Sequence, residues 1–213
     1  MTTTTTTTEA PATLAVAIPS DGLRQLANVA LFAATDKMAN RVLAGVRLES
    51  TGTVLIASAT DRYTAAREVI ELVYDPPRDP FAVTVDLAQL KAALKIPHGP
   101  YSQPMVLTVN GESVTFDNGE GLARVALVDG DYPDLERFFD AEQWGATAEP
   151  LDAQPLPVTF GAKPAFLARL GKIRTELRKP STARFTLVDP RKPILVQVDE
   201  TFQAVIMPVA VSP

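Results

Sequence analysis

One pattern occurs three times along the chain, and an internal repeat of this kind limits the available folds more than any other feature. A short apolar run at Leu14–Ile18 opens the first copy. Leu23, Leu26, Ala27, Ala30, Leu31 and Ala34 then fall on one stripe at helical spacing, as in an amphipathic helix packed on a surface. Three strand-like runs follow, VLAGVRLES, TVLIASAT and TAAREVIELV, with Thr51-Gly52 at the first turn. The second copy restarts with a strand at Phe81–Val85, and Asp86 is placed to cap a helix carrying Leu87, Leu90 and Leu94. PMVLTVN, SVTFDN and LARVALV complete it, with Asn110-Gly111 and Asn118-Gly119 as hairpin turns. In the third copy LPVTF precedes a helix with Pro164 in its first turn and Phe166, Leu170, Ile173 and Leu177 on its stripe. ARFTLV, ILVQV and FQAVIMPVAV are its strands.

The chain is thus three units of strand, helix and three strands, at roughly 13–74, 81–139 and 156–213. One unit cannot bury both its helix and the inner face of its strands, so units must pair. The expected class is α+β, with repeated β-α-β-β-β units, antiparallel sheets outside and helices lining one face. Residues 13–139 are expected to form a complete domain of two units, and 156–213 a half domain that needs a partner. Between them 140–155 reads as an acidic linker with Pro150 and Pro155 near its end. Residues 129–152 carry eight acids and one base, a net of −7; an acidic docking surface is the other reading. Residues 1–12, MTTTTTTTEAPA, have no basic start and no apolar stretch, so they read as a disordered tail rather than a signal peptide. A tethered partner motif is the alternative there. No apolar stretch approaches the ~20 residues of a membrane span, so a cytoplasmic setting without membrane partners is expected.

Composition narrows the chemistry. The 213 residues include no cysteine and one histidine. That excludes disulfides, thiolate nucleophiles, cysteine-ligated metals and multi-histidine sites within one chain. His98, between Pro97 and Gly99, reads as a helix-end cap whose cationic form the helix dipole favours. There is no Walker A sequence, since Gly161 and Gly171-Lys172 lie too far apart, and Gly119-Glu120-Gly121 lacks the third glycine of a dinucleotide fingerprint. Asp129 and Asp131 flank Gly130; paired acids can hold a metal or act as acid and base, but here they read as a solvated turn. Trp144 reads as a local packing anchor. No catalytic residue, cofactor or metal is expected.

The charge is segregated. Overall 25 acids oppose 20 bases, a net of −5, which argues against binding nucleic acid through net charge alone. Residues 161–180, however, carry Lys163, Arg169, Lys172, Arg174, Arg178 and Lys179 against Glu176, a net of +5. Lys91 and Lys95, four apart, share a helix face, and the first helical region adds Arg24, Lys37 and Arg41. These are either solvated faces or helices turned toward a phosphate backbone. Without interleaved aromatics such contacts would be independent of base sequence.

Four segments carry a resemblance. ATDRYTAAREV (Ala59–Val69), GDYPDLERFF (Gly130–Phe139), DPRKPILVQ (Asp189–Gln197) and AVIMPVAV (Ala204–Val211) resemble the bacterial DNA polymerase III beta subunit, the sliding clamp family. The first two are similar to its middle domain and the last two to the closing half of its third domain. The whole reads as a shortened form spanning Leu14 to Val211.

The resemblance implies a non-enzymatic processivity factor. Such clamps are rings around duplex DNA, held independently of sequence, with a helical inner wall and a continuous sheet outside. They dock DNA polymerase and other proteins bearing clamp-binding motifs in a hydrophobic cleft, and the resemblance adds a clamp loader to the expected partners. By motif the cleft would comprise Leu43, Thr60, Arg62, Tyr63, Thr64, Ala65, Pro133, Arg137, Phe138, Val205, Met207, Pro208 and Val209. Where Thr64, Ala65 and Ala210 stand, the family often has arginine, leucine and arginine, which implies a shallower, less basic pocket. The DNA-facing set would be Arg24, Lys37, Arg41, Lys91, Lys95, Arg169, Lys172, Arg174, Arg178 and Lys179. A ring of about twelve such units would need about four of these chains, so a homo-oligomer is expected, a tetramer if the ring closes. A non-encircling decoy, adaptor or inhibitor that keeps only the cleft is the alternative function.

Overall fold

The computed structural model describes residues 14–35, 40–73, 80–96, 103–140, 160–175, 182–187 and 192–209. In the first unit β1 (Leu14–Ile18) leads into α1 (Gly22–Ala30), followed by β2 (Gly45–Ser50), β3 (Val54–Thr60) and β4 (Thr64–Glu71). The second unit has β5 (Phe81–Asp86), α2 (Leu87–Ala93), β6 (Met105–Asn110), β7 (Ser113–Asp117) and β8 (Leu122–Ala126). The third has α3 (Pro164–Leu170), β9 (Ala183–Thr186), β10 (Ile194–Val198) and β11 (Phe202–Ile206). Every pairing is antiparallel, and the strands form a four-stranded sheet β1-β6-β7-β8 and a seven-stranded sheet β5-β2-β3-β4-β11-β10-β9.

The first two units exchange their first strands. β1 lies along β6, with Val16 opposite Leu107, and β5 lies along β2, with Val85 opposite Val46. Alternation sets the faces: Val16 and Ile18 turn inward while Ala15 is exposed. α1 packs on β3 and β4, α2 on β5 and β8, and the two helices touch. The first turn of α1 sits so close to β1 that a Cβ at Gly22 would meet Ile18 Cδ1 at 2.5 Å, so any larger residue there would force the buried Ile18 side chain to shift. Asp86 caps α2, its Oδ1 accepting from Gln89 N at 2.9 Å. Pro164 opens α3.

β11 joins the third unit to the first. It pairs with β4 over five residues, from Phe202 opposite Glu68 to Ile206 opposite Thr64. One apolar core therefore runs from α1 and β1 through to Val196, Phe202 and Ile206, and Phe32 and Phe202 meet with ring centroids 5.8 Å apart. A polar seam runs beside it. Asn28 on α1 exchanges two bonds with the backbone of Arg174, donating to its oxygen at 3.0 Å and accepting from its nitrogen at 2.9 Å.

Some expected elements are shorter. α1 ends at Ala30, and Leu31–Ala34 continue the stripe as a packed turn, with Phe32 fully buried. Burial alone keeps such a period going, whatever the local backbone does. Arg41–Ala44 is a short 3-10 helix rather than the start of β2. α3 stops at Leu170, so Ile173 packs from beyond it, and Leu177 lies outside the described residues. The tail at 1–12, His98, Trp144, most of 140–155, Lys37, Arg178, Lys179 and Ala210 also lie outside them. Among the described residues no helix is long and apolar enough to cross a membrane.

Candidate partner-binding groove and basic surface

The join between β4 and β11 forms the candidate site. Its floor is the tight turn from β3 to β4. There Asp61 Oδ1 accepts from the nitrogens of Tyr63 (3.1 Å) and Thr64 (2.7 Å) and from Thr64 Oγ1 (2.9 Å). Thr60 Oγ1 donates to Thr64 O at 2.7 Å, and Arg62 takes a left-handed φ of 79°. An Asx-type turn of this kind fixes the loop without needing glycine. It also thrusts Tyr63 outward, leaving it 54% exposed.

The third unit closes around this turn. Met207 N donates to Tyr63 O at 2.9 Å, and Val209 N donates to Gly161 O at 2.9 Å. The Tyr63 ring stacks on Phe166 of α3, centroids 6.2 Å apart, with Lys163 Nζ 4.8 Å from the Tyr63 centroid. Arg169 Nη1 lies 2.6 Å from Asp61 Oδ2 and donates to Thr64 Oγ1 at 2.7 Å. Tyr63, Phe160, Met207 and Val209 leave apolar surface in solvent on one side of this seam.

On the outer face of the join a second apolar cluster holds Ala65, Val205, Leu135 and Phe139, with Tyr132, Phe138 and Leu195 against it. The segment after β8 crosses the sheet here. Arg67 lies 4.9 Å from the Phe139 centroid and donates to Gln203 Oε1 at 2.7 Å. Burial lowers its pKa, with Glu136 opposing that effect. Burial raises the Tyr132 phenol, whose hydroxyl donates to Ser58 O at 3.3 Å. Beneath this segment is a cavity of about 390 Å³ lined by Arg47, Ile56, Arg67, Tyr132, Pro133 and others.

The structure brings Thr60, Arg62, Tyr63, Thr64, Ala65, Val205, Met207, Pro208 and Val209 together at this join. Pro133, Arg137 and Phe138 lie on the segment that crosses it, and the Arg137 guanidinium is 4.7 Å from the Phe138 centroid. Thr60, Thr64, Ala65 and Val205 are buried supports, so the accessible surface is smaller than the motif set. Leu43 is buried but belongs to neither apolar cluster. Sequence reasoning missed Phe160, Lys163 and Phe166 as groove neighbours. It also missed Leu135 and Phe139, although their four-residue spacing in the quoted motif was a signal for a packed pair.

The basic residues divide. Lys91, Lys95, Arg41, Lys172 and Arg174 are exposed. Arg24 is instead held between Asp21 Oδ2 and Arg174 O, at 2.7 Å each. Arg169, counted with the DNA-facing residues, is committed to Asp61 and Thr64 beneath the groove. Asp129 and Asp131 are exposed, and among the described residues no three His, Asp or Glu side chains are grouped to hold a metal.

Comparison with known proteins agrees with this architecture. The family profile for the DNA polymerase III beta subunit, central domain, matches residues 17–134. The DNA polymerase sliding clamp from Bacillus subtilis superposes with a TM-score of 0.72 at 17% identity, over 99% of this chain and 67% of that one. The sliding clamp from Pseudomonas aeruginosa gives 0.72 at 19% identity, over 98% and 69%. The DNA polymerase III beta subunit from Thermotoga maritima gives 0.69 at 15%, over 99% and 68%. No curated protein sequence matches significantly. The profile covers more than half of the chain, which spans about two thirds of the length of the clamps it matches, and the fold is that of the clamps: this protein belongs to the DNA polymerase III beta subunit family.

Proposed function

We propose that the chain acts as a processivity factor that encircles duplex DNA and docks replication proteins at the β4–β11 join. The observation that carries this reading is the patch of exposed apolar side chains at that join. Tyr63, Met207 and Val209 stay exposed beside Pro208, on a floor fixed by Asp61, while buried Ala65 and Val205 support it from behind. Exposed apolar groups on a turn held by side-chain hydrogen bonds suit a short peptide anchored by one leucine or phenylalanine. Met207 adapts to the shape of that anchor.

Lys91, Lys95, Lys172 and Arg174 supply positive charge from two helical regions, which suits contact with phosphates and no particular base. About four chains would make a ring, and polymerase, with a loader to open the ring, would be its partners. Retention on nicked circular DNA against linear DNA tests encirclement. Persistence on the circle with run-off from linear ends is expected, and equal loss from both refutes it. Salt should weaken phosphate contacts without freeing a closed ring from a circle.

A non-encircling adaptor is the second reading. It draws support from Arg24 and Arg169, whose charges are spent on partners within the chain. Peptide binding without DNA retention would favour it.

A further inference from the structure

The first two units show how units of this type mate. Each lends its first strand to the other, β1 to β6 and β5 to β2, and α1 and α2 touch across the middle. The result is complete burial: Val46 and Leu48 of β2 are 0% exposed. Val85, at the end of β5, also bridges Leu127 just beyond β8 of its own unit.

In its described residues the third unit repeats the order of a helix and three strands, and among those residues it has no mate. β9 stands where β2 stands, pairing with β10 on one side; among the described residues no strand runs along its other side. Phe185 of β9 lies opposite Val196 and shares its inner face, yet Val196 is fully buried and Phe185 is 43% exposed. On α3 the buried side chain is Phe166, while Leu167 is 41% exposed. Gly161 bridges Val209 beyond β11, as Val85 bridges Leu127 beyond β8. The chain entering α3 therefore lies as the end of β5 does, and β5 goes on to pair with the second strand of another unit.

We propose that the third unit of one chain mates with the third unit of a second copy, through the open edge of β9 and the uncovered face of α3. What the unit lacks is what it carries: an open second strand, a strand-like approach to its helix, and a helix to cover the inner face at Phe185. Only another such unit supplies all three, and a two-fold axis lets each copy give what it receives. An unpaired edge with an exposed inward aromatic is also unstable against self-association, which this contact resolves. The contact deepens the ring reading above, whose closure rests on it, but the argument for it comes from pairing within the chain.

Native mass spectrometry of the full chain tests the proposal, with Phe185→Glu and Leu167→Glu as variants. Both side chains are exposed, so each variant should keep the circular dichroism spectrum of the parent. The parent is expected to be heavier than one chain, and each variant to lose about half of that mass or more. A monomeric parent overturns the contact, as do variants that keep the parent mass. Two further measurements separate this contact from the function. A monomer that still binds a leucine- or phenylalanine-anchored peptide in the groove refutes the contact and leaves the docking reading standing. Assembly through Phe185 and Leu167 with equal loss from circular and linear DNA upholds the contact and refutes encirclement.

Discussion

β4 and β8 close the first and second units and occupy equivalent places in them. On β4 Ala66, Glu68 and Ile70 face inward and are at most 1% exposed, while Ala65 on the other face is only 6% exposed. On β8 Val125 faces inward at 0%, but Leu122 is 67% exposed. Leucine is the more apolar residue and alanine is the one sheltered. The neighbouring strand decides this. β4 has β11 along it and Leu135 and Phe139 over it, whereas β8 is a sheet edge. An apolar cluster is sheltered where two closing strands meet and not where one stands alone.

The comparison can be broken hardest at Phe202, fully buried at the start of β11. Phe202→Ala should cost about 3–5 kcal/mol in urea unfolding, because the seam between β4 and α1 cannot collapse onto the space left. Next is Glu68, opposite Phe202 and 1% exposed. Burial pushes its carboxyl from 4.5 up to about 7; hydrogen bonds from Thr201 Oγ1 (2.5 Å) and Gln25 Nε2 (3.3 Å) and the charge of Arg24 oppose this, and Asp199 adds to it. The folded state thus prefers the protonated form. Stability from this group is greatest below pH 4.5, falls as pH rises to about 7 and is level above, a loss on the order of 3 kcal/mol. Glu68→Gln should flatten that slope in urea titrations run across this range, and an unchanged slope refutes the assignment.

A smaller effect is expected at the turn. Asp61→Ala removes three acceptor contacts and the ion-pair partner of Arg169, costing about 1–3 kcal/mol. It should also weaken peptide binding in a fluorescence-anisotropy titration, since Tyr63 loses its support. The smallest change sharpens the contrast on β8. Leu122→Ala should shift stability by no more than about 0.5 kcal/mol in urea unfolding of the dilute chain. A larger loss there would mean that β8 is covered after all.

Local chemistry was readable in the sequence and distant pairing was not. Asp86, Pro164 and the turns at Gly52 and Gly119 act through their nearest neighbours, and they appear where periodicity and turn residues put them. The family motifs also pointed to the stretch around Tyr63 and Met207. The pairing of β4 with β11 joins residues more than 130 positions apart, and nothing in TAAREVIE or FQAVI alone selects that register. Arg169 shows the same limit. Its helix counts as basic by composition, but its charge is spent on Asp61, an acid in another unit. Counting charges along a helix reports supply and is blind to local demand.

The bonds from Met207 N to Tyr63 O and from Val209 N to Gly161 O carry one more consequence. They use up main-chain groups that an incoming strand would otherwise grip. A segment docking there, as proposed, would find fewer backbone groups to pair with in the manner of strand addition. It would be read more by the shape and polarity of its side chains, which leaves residues between its anchors freer to vary. A single rigid seam could in that way serve many unrelated tails in turn, each held by a few well-placed contacts and each easily exchanged.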